Sequence, residues 1–135
     1  MALPNGAGGY QLGDGNRNEV RMGYGADPQT ATSTATLTAA QITGGILVAN
    51  PSTSAATYTL PAATDIDNAV SSATVGSTFD LSIVNIGTAS GTVTLSMGTG
   101  VTNGGNAAVA VAITSSALFR FRKTGDGAWS VYKIG

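Results

Sequence analysis

The sequence predicts an all-β fold: a β-sandwich or jelly-roll-like barrel with one short helix and an irregular N-terminal arm. Three observations carry that expectation. Short runs of alternating apolar and small polar residues recur along the chain, each closed by Gly, Pro or Ser/Thr clusters. Val, Ile and Thr are abundant, whereas strands alternating with helical periods, the rhythm of a parallel α/β sheet, are absent. Finally, the chain is almost free of charge. Only 10% of its 135 residues are charged, where about 25% is usual. Gly, Ala, Ser and Thr make up more than half of it. Disordered chains with such a bias carry high net charge and few β-branched residues. Here the net charge is −1 and 42% of residues are hydrophobic, enough for one packed domain.

Two regions are expected: an arm over residues 1–27 and a β-sandwich domain over 28–135. The arm holds Asp14, Arg17, Glu19, Arg21 and Asp27, five of the chain's six basic and seven acidic residues taken together. It also holds Tyr10, Leu12 and Tyr24 between repeated Gly turns, and no period survives for long. The stretch "NRNEVRMGY" reads as partly extended. This arm is read either as a frayed terminus, which is common, or as a segment that orders against a partner, the reading its two tyrosines favour.

From Gln29 the pattern becomes β. Thr-rich alternation runs to a Gly-Gly turn at 44–45, followed by the apolar run Ile46-Leu47-Val48. "AATYTLPAA" gives a short strand with Tyr58 and Leu60 on one face, ended by Pro61. "TDIDNAVSSA" (64–73) is the one helical candidate. Thr64 is its expected cap, Asp65 and Asp67 fall in the first turn, and Ile66, Ala69, Val70 and Ala73 share a face.

Beyond it, Phe79, Leu81 and Ile83 share one strand face, Val93, Leu95 and Met97 the next, and Val109, Val111 and Ile113 a third. In "ALFRFRK", Phe119 and Phe121 point one way and Arg120 and Arg122 the other. "TGDGAW" is the strongest hairpin signal in the chain, and Trp129 and Val131 then share a face opposite Tyr132 and Ile134.

Enzymatic chemistry finds no foothold in these residues. With no histidine and no cysteine, the commonest general base, metal ligand and thiol nucleophile are missing. Asp65 and Asp67 diverge on a helix, and Asp80 has no expected partner. Asp14 and Asp126 each precede Gly, as turn residues do. "DGN" at 14–16 lacks the acidic ligands that a calcium loop needs. "GTGVTNGG" lacks the Lys-Ser/Thr ending of a phosphate loop and reads as a strand connection. No G-x-S-x-G elbow occurs. We therefore expect no catalytic, cofactor or metal site.

Arg120, Arg122 and Lys123 are too few for a nucleic-acid footprint. The uncharged runs are too interrupted to span a membrane. "MALPNGAGGYQLGDG" has neither the basic nor the apolar region of a secretory signal. What remains is a subunit-like surface: small uncharged side chains bury against another protein without the desolvation cost of charges.

"ILVANPSTSAATYTLPAATDIDNAV", "GSTFDLSIVNIG", "TVTLSMGTGVT" and "FRFRKTGDGAWSVYKIG", with the start "MALPNGAGGYQLGDGN", resemble small structural proteins of tailed bacteriophages. The likeness is to capsid decoration (cement) proteins, in particular those of phages of marine cyanobacteria, and it covers residues 1–135. It implies a homotrimer on the outer capsid surface that bridges major capsid protein subunits and stabilises the shell. It also implies a terminal arm that makes the contact, which suits residues 1–27; within that arm the candidate contact residues are Tyr10, Leu12, Arg17, Glu19, Arg21 and Tyr24. Related Gly/Thr-rich modules occur in phage fibres, so a fibre or knob that binds a host receptor or glycan is the alternative.

Overall fold

The computed structural model describes residues 23–135, in which the chain winds back and forth between two sheets. Residues 23–28 form neither helix nor strand and are exposed. The extended character expected around "NRNEVRMGY" lies mostly outside the described residues.

The first coil runs through β1 (Gln29–Ala31), β2 (Ala35–Thr36) and α1 (Ala39–Thr43). The second repeats that order in β3 (Ile46–Ala49), β4 (Ala56–Thr59) and α2 (Ala63–Ala69). A third begins with β5 (Thr78–Asn85) and β6 (Val93–Ser96). Successive coils stack in parallel, β1 on β3 on β5 in one sheet and β2 on β4 on β6 in the other. The chain then adds β7 (Val101–Gly105) and the hairpin of β8 (Ser115–Gly125) and β9 (Ala128–Lys133) to the larger sheet. That sheet has the order β1-β3-β5-β8-β9-β7, and the smaller one is β2-β4-β6.

Among the described residues, five of the seven strand pairings are parallel. A jelly roll is built from antiparallel Greek keys, so the mainly β expectation holds while the chain takes a wound path through its two sheets. Among the described residues two helices are present where one was expected. The extra one, α1, interrupts the Thr-rich alternation. Thr38 and Gln41 form a reciprocal capping box, and the Gly44 N–H closes the far end onto the Ala40 carbonyl. The Gln41 amide also donates to the Thr30 carbonyl at 2.8 Å, on the open edge of β1. A satisfied edge carbonyl is a poorer template for stray strands.

Two other expectations change. The segment with Val109, Val111 and Ile113 is no strand: it makes one bridge, Val111 to Val93, and Val109 is exposed. The glycine-rich "VTNGG", expected as a connection, is β7 itself and pairs in parallel with β9. In α2 the cap position is Ala62 and not Thr64, and no side chain caps it. Packing holds this short helix, through Ala63 and Ile66.

A single core joins the two sheets and the helices. The stacking rule places Ala35, Tyr58 and Leu95 in one column. Leu37, Leu60 and Met97 follow two positions on in each coil. From the larger sheet come Leu47, Leu81, Ile83, Phe119, Phe121, Trp129 and Val131, all buried. Each buried Leu or Ile contributes about 2 kcal/mol. The Phe79 and Phe121 rings stack across the β5–β8 pair at 4.7 Å between centroids, and Trp129 meets Phe79 edge-on. Coil-to-coil spacing is tight enough that a side chain at Gly98 would collide with the carbonyls of Leu60 and Pro61.

Asn85 ends β5 and is buried. Its amide nitrogen donates to the carbonyls of Gly91, Val111 and Ala112 at 2.9–3.1 Å, and its oxygen accepts from the Gly87 N–H at 2.8 Å. One side chain thereby anchors the turn after β5 and the irregular segment before β8. Replacing it with Ala strands several buried backbone groups, so Asn85→Ala is expected to cost about 3 kcal/mol. Ser82→Ala, on the outer face, is expected to stay within about 0.5 kcal/mol. Urea unfolding of both variants measures the difference.

Candidate docking surface

Alternation along the six-stranded sheet sends every second side chain outward, and strand register aligns these into rows. One row is Ile46, Ser82 and Leu118, extended by Ile134 at the end of β9. The next is Thr30, Val48, Val84 and Ser116. Ile86 follows just beyond β5. Ile46, Ile86 and Ile134 remain 42%, 49% and 48% exposed. Val48, Val84 and Leu118 are half-buried between them. The result is a contiguous apolar patch that contains no charge. Isolated surface apolar residues are normal, but a contiguous patch marks a contact surface. Beside it a shallow groove of about 410 Å³ is lined by Val84, Ile86 and the hydroxyls of Thr114, Ser115 and Ser116. Thr114 there holds φ of 50°, a left-handed conformation costly for a β-branched residue.

Charges on this face begin in the adjoining row. Asp80, expected to have no partner, lies directly across from Arg120 and accepts two hydrogen bonds from its guanidinium at 2.8 and 3.0 Å. These bonds hold the Asp80 carboxyl below its ordinary range. Both groups are largely exposed, so the pair adds little stability. Arg120 is thus already engaged with a carboxylate on its own sheet.

Of the arm residues expected to contact the capsid, Tyr10, Leu12, Arg17, Glu19 and Arg21 lie outside the described residues. Tyr24 is described and fully exposed. Among the described residues there is no group of three or more acidic side chains positioned to hold a metal, and no helix is long and apolar enough to cross a membrane.

Asp67, expected in the first turn of the helix, lies beyond that turn, which holds Asp65 alone, and it serves distant partners instead. From α2 it accepts the Gly127 N–H at 2.7 Å and the Trp129 indole N–H at 2.8 Å, and it pairs with Lys123 at 3.2 Å. Lys123 points inward with the phenylalanines of β8 and also donates to the Ala73 carbonyl. These contacts clasp the second coil to the β8–β9 hairpin. The helical position of Asp67 was legible in the sequence, but its partners lie about sixty residues away and carry no local signal. Against family models, curated proteins and solved structures alike, the chain found no match.

The Asp67 carboxyl sits below its ordinary range, first because of the Gly127 N–H, then the Trp129 N–H, with Lys123 adding to them against the effect of burial. A carboxylate lowered in the fold stabilises it above the unfolded value, about pH 4, and loses that contribution as pH falls through the lowered one. Asp67→Asn is therefore expected to melt at lower temperature near neutrality, with the gap to wild type narrowing as pH drops below about 4. Melting curves of both proteins across that range give the answer. A constant gap would assign no role to the charge.

Proposed function

We propose that this chain is a structural protein of a tailed-phage virion that binds the outer surface of the capsid as a homotrimer and stabilises the shell. The observation that carries the reading is the uncharged apolar patch on the six-stranded sheet, a surface suited to protein contact and to no evident chemistry. The family likeness supports it, as does the low net charge, which leaves little repulsion between crowded copies. In this reading the two sheets act as a sandwich closed over the shared core. Tyr24 and the arm ahead of it reach the major capsid protein, and attachment rests on many weak contacts multiplied over the trimer.

One feature favours a second reading. Stacked parallel coils also suit an elongated fibre or knob that binds a host receptor or glycan. Copy number separates the two. Quantified in purified virions against the major capsid protein, this chain is expected near one copy per capsid subunit. A handful of copies per particle would hand the assignment to the fibre reading.

A further inference from the structure

A second cleft, of about 220 Å³, opens between the chain that leaves α2 and the start of β5. Phe79, Trp129, Val70 and Ala73 give it apolar walls. The hydroxyl side chains of Ser72, Ser77 and Thr78 complete the lining, and none of these residues carries a charge. Phe79 stands at the start of β5 and faces the core side, whereas Val84, near the other end, faces outward in the docking surface. The two sites are separate, and both can be filled at once.

Both aromatic rings are held in place by the fold itself. Asp67 accepts the Trp129 indole N–H at 2.8 Å, and Phe79 stacks on Phe121 at 4.7 Å between centroids. Ser77 Oγ accepts the Thr74 N–H at 3.0 Å, which leaves its own proton to donate. Walls fixed in this way spare a ligand the cost of ordering them.

Size and lining together select the occupant. Drug-sized ligands take clefts of about 300–1,000 Å³, so this one takes a single ring. Its lining has no charge to meet an ionic group. A wholly apolar plug, such as a partner's leucine or phenylalanine, would strip water from three hydroxyls and return no hydrogen bond to them. A pyranose has both characters: an apolar C–H face for an aromatic wall, and a girdle of hydroxyls for a polar rim.

We propose that this cleft binds one neutral pyranose unit of a glycan, its C–H face toward Phe79 and Trp129 and its hydroxyls on Ser72, Ser77 and Thr78. This goes beyond the capsid reading, and neither needs the other. Attachment to the shell is measured without sugar, and sugar binding without particles.

Trp129 is the only tryptophan of the chain, so its emission reports on this cleft without background. The full chain is titrated with the methyl pyranosides of glucose, galactose, mannose and N-acetylglucosamine. Saturation-transfer NMR reads the same binding from the sugar. A single ring with few hydrogen bonds is expected to bind with a Kd of about 1 mM. Ser72→Phe, at an exposed position, plugs the mouth and is expected to weaken binding about tenfold or more at an unchanged melting temperature. Ser77→Ala leaves the cleft open and is expected to weaken it about fivefold. No saturable signal from any pyranoside by either method would overturn the proposal, as would equal binding by Ser72→Phe. Cyclohexanol binding as tightly as the best pyranoside would overturn it too, and give the cleft to an apolar side chain of a partner protein.

Discussion

The structure depends on β5 being shared. On one side it is the third strand of a parallel stack, paired with β3, and on the other it opens the antiparallel β8–β9 unit. A stack of coils cannot end on a bare strand without leaving its backbone groups and apolar face unpaired. Pairing β5 with β8 along eight residues closes that end. The side chains of β5 divide by the same logic. Phe79, Leu81, Ile83 and Asn85 face the core, while Asp80, Ser82 and Val84 face outward. Asp67 and Lys123 tie the helix of the second coil to the hairpin from the other side. Two polar anchors, Asn85 and Asp67, thus stand where the wound and hairpin parts meet.

Scarcity of charge follows from this architecture. Coils stacked at strand spacing leave room in their columns for Ala, Thr, Leu and Tyr, and at Gly98 for nothing larger than hydrogen. Among the described residues, two pairs of charges are committed to each other: Asp80 to Arg120, and Asp67 to Lys123. Much of what stays outside is hydroxyl, methyl and a patch of branched aliphatic side chains. Such a surface loses little solvation on meeting another protein.

Much of the strand content was legible because alternation is local. The inward Phe119 and Phe121, the outward Arg120 and Arg122, the paired faces of β5 and β6, and the turn at Asp126-Gly127 all follow from period two and turn chemistry. The winding was not legible. Stacked partners are separated by 18 and then 36 residues in one sheet, and by 23 and 37 in the other, so no fixed period appears. One signal was there to find. "TLTAAQ" at 36–41 and "TLPAAT" at 59–64 mark the same corner of successive coils, where a strand ends on Thr, a buried Leu follows and a helix begins. The first of them also contains the Thr38–Gln41 capping box that makes α1. The candidate surface was half legible: its lack of charge could be read from composition, but its membership depends on which strands lie side by side. Val109 shows the converse, since a strand-like alternation held by a single bridge at Val111 leaves this apolar side chain exposed.

Native-state hydrogen exchange tests the central role of β5 most directly. If β5 joins coils and hairpin into one cooperative unit, amides of β3, β4, β5 and β8 exchange at similar, slowest rates, and all respond together to Asn85→Ala. Faster exchange of the β3 and β4 amides, unmoved by that substitution while β8 and β9 stay protected, would mean that the coils open on their own and that β5 does not hold the molecule together.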